Sequence, residues 1–131
     1  MAALLKGITG SNMGKVNIND KLGLVQDYWK PAIVGELNGQ QVKLVKIKGE
    51  FVMHQHENED ELFLVIKGSL KMDYGDRIEE ISEGEFIIVP RGVSHRPIAE
   101  SETHLLLFEP ATTLNTGDVR NDLTRESPEK I

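Results

Sequence analysis

A succession of short segments with alternating apolar and polar residues runs from residue 32 to residue 109, and it constrains the fold more than any other feature. Side chains of a strand point to alternate faces, so a two-residue period is typical of half-buried β-strands. The pattern predicts strands over 32–37, 41–48, 51–56, 61–67, 69–74, 77–81, 85–89, 95–99 and 104–109. Short strands at regular spacing predict an all-β sandwich or barrel.

Turn-forming residues separate these segments. Asn38-Gly39 lies between two apolar runs and predicts a tight hairpin, because both central residues of a type I′ turn need positive φ. Another turn is expected over 100–102, between the last two predicted strands.

The two ends of the chain lack the alternating pattern. Asn19 or Asp20 could cap a short helix over 21–26, so residues 1–30 form a helical or irregular lead-in to a barrel over 31–110. Residues 111–131 are predicted to be a loop and mobile tail. The alternative is that residues 114–117 fold over the mouth of a barrel or over a neighbouring subunit.

Composition excludes several classes of function. A chain of 131 residues is long enough for one domain with a core. The formal net charge of −6 disfavours binding to nucleic acid or to an anionic membrane. The sequence has no cysteine, which excludes disulfides and thiolate metal sites. It has neither a long apolar window nor the pattern of a secretory signal at its start, so we expect a cytoplasmic protein.

Three histidines and one glutamate form a candidate metal site. His54 and His56 are two residues apart, so in a strand they share a face with Cα atoms roughly 7 Å apart. Glu61 follows after a turn of four residues, and His95 opens a later predicted strand. Imidazoles with one carboxylate are ligands of divalent iron, manganese, nickel or zinc.

These residues lie in two spaced motifs. The pattern H-x-H-x4-E-x6-G begins at His54, and the pattern G-x5-P-x-G-x2-H ends at His95. Both resemble the signature motifs of the cupin superfamily. Two positions depart from those motifs: Gly49 precedes His54 by four intervening residues instead of five, and Ala99 stands where asparagine is common.

The resemblance implies a small single-domain cupin, related to the barrels of mannose-6-phosphate isomerases, with a double-stranded β-helix (jelly-roll) fold. It also implies that His54, His56, Glu61 and His95 hold one divalent metal ion inside the barrel. Two functions then remain open. The first is a metal-dependent enzyme of dioxygenase or isomerase type that acts on a small molecule, and the second is a non-catalytic cupin that binds or senses a small molecule. No catalytic residue is assigned beyond the metal ligands.

The segment 61–67 is apolar on both faces. With Glu61 pointing inward, Phe63 and Val65 line the interior. The outward row consists of Leu62, Leu64 and Ile66. Such a strand is normally covered on both sides. The N-terminal segment or a second subunit could provide the cover, and we expect a homodimer packed through these outer faces.

The other histidine and the nearby arginines have no motif around them. His104 lies between Thr103 and Leu105 and is predicted to be structural, with a proton-shuttle role as the alternative. Arg91 falls in a turn and Arg96 has the opposite parity to His95, so surface roles are expected for both.

Overall fold

The computed structural model describes residues 13–131. Over these residues the architecture is an all-β jelly-roll barrel preceded by one short helix. Helix α1 (Ile18–Leu22) comes first, and every strand pair that follows is antiparallel. The strands are β1 (Ala32–Leu37), β2 (Gln40–Glu50), β3 (Glu61–Lys67), β4 (Ser69–Asp73), β5 (Ile78–Ser82), β6 (Phe86–Val89) and β7 (Arg96–Pro110). The predicted fold class is confirmed.

Strand β7 joins the two halves of the barrel. The strand order is β1-β2-β7-β3-β6, and β4 pairs with both β5 and β7. The first part of β7 pairs with β4 through Ile98 and Lys71, and its second part pairs with β3 through Leu106 and Leu64. One long strand therefore belongs to both halves, which curves the sheet around a single interior.

The predicted turn over 100–102 is wrong, because β7 continues through these residues. The register with β2 changes there, from the pair Gly49 and Ala99 to the pair Ile47 and Thr103. Three residues of β7 are thus opposite a single residue of β2. Such a bulge bends a strand without ending it, and this bend resembles a turn in the sequence.

Two further sequence predictions need correction. The segment 51–56 is not a strand, since His54 makes only an isolated bridge to His95. Helix α1 begins three residues before the predicted position, because the side chain of Asn17 accepts a hydrogen bond from the backbone N–H of Asp20. Gly23 then caps its end. The hairpin is confirmed: Asn38 and Gly39 both have positive φ, at 50° and 76°.

The core fills the barrel interior. Phe63 and Val65 are buried, and the outward residues of β3 are half-buried, as the alternation predicts. The other core side chains come from strands on both sides of the barrel and include Val45, Ile47, Leu70, Met72, Ile81, Val89, Leu105 and Leu107.

An apolar surface lies on the outside of β3 and β6. Leu62 is paired with Ile88, and Leu64 is paired with Phe86. Phe86 and Ile88 are 58% and 54% exposed, respectively. We call these four residues, together with Ile66, the outer apolar face. Among residues 13–131, no helix is long and apolar enough to cross a membrane.

Candidate metal centre

The four residues singled out by their spacing come together inside the barrel. His54, His56, Glu61 and His95 are all buried, and one candidate ligand atom from each lies within 4.8 Å of the others. An ion with bonds of about 2.0–2.2 Å holds its ligand atoms about 3 to 4.3 Å apart. The cluster therefore has nearly the dimensions of a metal site before any adjustment of its side chains.

Backbone pairing brings the four residues together. The N–H of His54 donates to the carbonyl of His95 at 3.0 Å, and the N–H of His95 donates back at 2.8 Å. The carbonyl of His56 accepts from the N–H of Gly92 at 2.8 Å. Glu61 is the first residue of β3 and points to the same interior. Two loops and one strand end are thus tied to each other at the site.

Hydrogen bonds orient two of the imidazole rings. Nδ1 of His54 lies 2.8 Å from the carbonyl oxygen of Val52, and Nδ1 of His95 lies 2.9 Å from that of Val93. A carbonyl oxygen can only accept, so Nδ1 carries the proton in both rings. Each Nε2 is then a lone pair available for a metal, which is the usual arrangement of histidine ligands.

Several polar atoms at the centre of the cluster have no hydrogen-bond partner. Glu61 Oε1 lies 3.1 Å from His56 Nε2 and 3.6 Å from His95 Nε2. All three atoms are buried and make no hydrogen bond. Buried polar atoms are seldom left unpaired in folded proteins. A bound cation would satisfy all three, so the donor set fits a divalent transition ion.

The protonation states suit metal binding. Burial, reinforced by the neighbouring His95, lowers the pKa of His54 to about 4. Burial opposes ionisation of Glu61, yet its contacts with His56 and His95 outweigh burial and hold the pKa of its carboxyl below the usual range. At neutral pH, His54 is neutral and Glu61 is ionised. Metal ligation requires these forms of the two residues.

A buried ion pair adjoins the cluster. Lys43 Nζ lies 2.8 Å from Glu109 Oε1, and both side chains are almost fully buried. Burial and the adjacent charge of Glu61 raise the pKa of Glu109 well above its usual value. The sequence interpretation missed both residues. The alternation of side chains along a strand could have revealed both residues, since Lys43 shares a face with Val45 and Glu109 shares a face with Leu107.

A small cavity opens beside His54 and Glu61. Its volume is about 40 Å³, and about 390 Å³ when the open space around it is included. The rings of Trp29 and Phe51 stack in its wall, with centroids 4.8 Å apart and an interplanar angle of 23°. Aliphatic side chains and a third ring complete most of the wall: Val45, Ile47, Phe63, Leu105 and Leu107. We call this space the barrel cavity.

The C-terminal segment packs over the site. Gln55, which separates the two histidines, donates its N–H to Asp118 Oδ1 and accepts from the N–H of Asp118, both at 3.0 Å. A Cβ added to Gly117 would lie 2.1 Å from the carbonyl oxygen of Gln55. Asn115 lines the barrel cavity. We call residues 115–118 the C-terminal clasp, since they contact the loop that carries His54 and His56.

The remaining polar residues considered in the sequence lie apart from the cluster. His104 points outward, where its Nε2 lies 2.8 Å from Glu102 Oε2. Arg91 pairs with Asp60 through both its backbone and its guanidinium. Arg96 pairs with Asp73 at 2.7 Å. All three side chains thus pair with residues outside the cluster.

Comparison with known proteins defines the class. The family model for the cupin domain, Cupin_2, matches residues 42–109, which is just over half of the chain. The four clustered residues all lie within this match. The chain therefore belongs to the cupin-domain family.

Particular relatives extend the similarity. A cupin-2 domain containing protein from Shewanella frigidimarina has a solved structure that is 40% identical, with a TM-score of 0.72 over 72% of this chain and 93% of that chain. The structure of protein NMB1881 from Neisseria meningitidis is 33% identical, with a TM-score of 0.69 over 75% of this chain and all of that chain.

One curated relative is similar in sequence. The uncharacterized protein YdbB of Bacillus subtilis is 33% identical over 64 residues, which are 48% of this chain. The match covers 57% of YdbB, so this chain spans little more than half the length of that relative.

Proposed function

We propose that this protein is a metal-dependent enzyme in which His54, His56, Glu61 and His95 hold one divalent ion and a small molecule reacts beside it. The observation that supports this most directly is the group of buried, unpaired ligand atoms, which converge next to the barrel cavity. A site with perturbed titratable groups at a cavity is a reasonable place to expect chemistry.

The donor set limits the metal and the reaction. Three nitrogens and one carboxylate suit iron, manganese, nickel or zinc, and they leave room for a substrate oxygen on an octahedral ion. When bound, such an ion polarises a carbonyl or hydroxyl, lowers the pKa of water or exchanges electrons with O₂. Isomerisation and dioxygenation are the corresponding reaction types.

The residues of the chain have separate tasks in this proposal. Val52 and Val93 fix two imidazole rings through their carbonyl oxygens, so that each Nε2 faces the site. Glu61 supplies the anionic ligand. The apolar wall excludes water from the reacting atoms, which strengthens electrostatic interactions there.

A non-catalytic binding or sensing role is the second candidate. The observation in its favour is that the described wall of the barrel cavity contains no acid or base besides His54 and Glu61. An enzyme would then have to rely on the metal centre, and on Glu109 behind Glu61, for proton transfer.

The test begins with the metal content of protein purified without chelators. Wild type, His56→Ala and His104→Ala are compared by elemental analysis, since His104 is a histidine outside the cluster. We expect near-stoichiometric metal in wild type and in His104→Ala, and a large loss in His56→Ala. The loaded protein is then assayed for O₂ uptake and for turnover of phenols, ketones and sugars.

The results separate the candidates. Turnover that is lost with the metal supports an enzyme. Saturable binding without turnover supports the binding role. Full metal occupancy in His56→Ala contradicts the assigned ligand set.

We further propose that the protein works as a homodimer joined through the outer apolar face. The support is the exposure of Phe86 and Ile88 beside the half-buried row on β3. Contiguous exposed apolar surface of this kind is typical of an interface between proteins.

A further inference from the structure

The wall of the barrel cavity offers a ligand almost no hydrogen bonds. Four of its side chains carry polar atoms: Trp29, His54, Glu61 and Asn115. Trp29 Nε1 already donates to the carbonyl of Lys48 at 2.9 Å. His54 and Glu61 belong to the metal site. Only the amide of Asn115 remains to be considered.

Both ends of the Asn115 amide have partners within the C-terminal segment. Its Nδ2 donates to the carbonyl of Leu123 at 2.8 Å, and its Oδ1 accepts from the N–H of Arg125 at 2.8 Å. These bonds hold the clasp in shape. The amide keeps one N–H and one lone pair beyond these two bonds. Among the polar side-chain atoms of the described wall, the metal-binding atoms are the ones without a partner in the protein.

The described wall also contains no positive side chain. Lys43 is a buried cation of the barrel, and it is already paired with Glu109. Phosphate and carboxylate groups are normally bound by Arg, Lys or backbone N–H groups. A polyol would lose its hydrogen bonds to water in this cavity and would find few new polar contacts beyond the metal-binding atoms. Sugar phosphates and sugars are thus poor matches.

Shape and size narrow the choice further. The stacked aromatic rings of Trp29 and Phe51 both line the cavity, and the cavity is small. A flat ligand can pack against such rings. The polar atoms of such a ligand must lie on the one edge that faces the four metal ligands.

We propose that the substrate of this site is a small, flat, uncharged molecule with one oxygen-bearing edge, of the phenol or ketone class. This inference rests on the proposed function, because the oxygen is assigned to the metal held by the four ligands. It excludes phosphorylated and polyhydroxylated substrates from the same site.

The test uses the single tryptophan of the chain as reporter, since Trp29 lines the barrel cavity. Zinc-loaded full-length protein is titrated with phenol, glucose and inorganic phosphate while the tryptophan fluorescence is followed. We expect saturable quenching by phenol and an affinity about a hundredfold or more weaker for the other two. Equal or tighter binding of glucose or phosphate, or no binding of phenol, overturns the inference while the metal site stands.

A matched pair of variants locates the binding. Phe51→Leu removes a wall ring, and Phe86→Leu makes the same change on the outer apolar face. Phenol affinity should fall about tenfold in Phe51→Leu only, with zinc content unchanged in both. Equal affinities in the two variants overturn the assignment to this cavity.

Failure of the proposed function gives a different result. Protein that takes up no metal contradicts the proposed metal centre. The apolar lining of the barrel cavity is then tested by titration with toluene, whose binding needs no metal. Saturable quenching by toluene supports the apolar cavity, and its absence overturns it.

Discussion

Lys43 and Glu109 form an ion pair inside the barrel, with 2.8 Å between Nζ and Oε1 and both side chains at most 3% exposed. Glu109 in turn contacts Glu61, a member of the candidate metal centre. Two carboxyl groups beside each other repel when both are ionised. Burial and Glu61 therefore disfavour the ionised form of Glu109, and Lys43 favours it.

Removing Lys43 should destabilise the fold. Lys43→Met leaves Glu109 buried beside Glu61 without a cation, and we expect a loss of about 3 kcal/mol in unfolding free energy. This is at the lower end for breaking a buried pair because Glu109 can take up a proton. Urea unfolding measures this loss of unfolding free energy. Lys130→Met is the control, since the exposed Lys130 pairs with Glu36 and should change stability by less than about 1 kcal/mol. Similar losses in both variants contradict a special role for the buried pair.

The C-terminal clasp should depend on Gly117. A Cβ there would meet the carbonyl oxygen of Gln55 at 2.1 Å, so Gly117→Ala must displace the clasp or the metal-binding loop. Gly75→Ala is a matched control, because Gly75 also has positive φ but has nothing within 4 Å of the added Cβ. We expect weaker zinc binding and greater acrylamide quenching of Trp29 in Gly117→Ala than in Gly75→Ala. Equal zinc binding and equal quenching in the two variants would mean that only the backbone strain at Gly117 matters, and not the contact with Gln55.

Metal-free protein should lose stability as the pH falls because of His54. The pKa of this imidazole is lowered from 6.5 to about 4 in the folded state. Below pH 6.5 the unfolded state therefore binds a proton that the folded state does not, and stability falls until the folded pKa is reached. Between pH 6.5 and 5 the loss from this residue is about 2 kcal/mol.

The variant His54→Gln isolates this effect. Urea unfolding at several pH values should show a flatter pH dependence in His54→Gln than in wild type. An unchanged slope in His54→Gln would show that other groups cause the acid sensitivity.

The outer apolar face should determine the oligomeric state. Ile88→Lys places a charge beside Leu62, its cross-strand partner, and should convert a dimer into a monomer at micromolar concentration. Analytical ultracentrifugation measures this. Ile78→Lys is the control, because Ile78 is similarly exposed but lies on β5. A wild-type monomer under these conditions contradicts the proposed dimer.

Local patterns accounted for much of the fold and for the four clustered residues. The hairpin at Asn38-Gly39 follows from backbone preferences of two adjacent residues, and the inward position of Phe63 follows from strand parity. The cluster could be found because His54 and His56 lie two residues apart within spaced motifs.

The features that the sequence did not reveal depend on distant contacts. Gln55 bonds to Asp118, 63 residues away, so the segment around it pairs with the clasp instead of forming a strand. Lys43 and Glu109 are 66 residues apart, and their pairing requires the register of β2 with β7. The bulge in β7 likewise depends on its partner strand, which residues 100–102 alone do not specify.

The barrel cavity is built from two kinds of segment. The four clustered residues lie inside the stretch of chain that matches the family, 42–109, whereas Trp29, Pro31 and Asn115 of the wall lie outside it. Segments outside the family match therefore complete a cavity that is built mostly by the barrel. Changes in the lead-in or in the C-terminal clasp can reshape this cavity during evolution and leave the four clustered residues as they are.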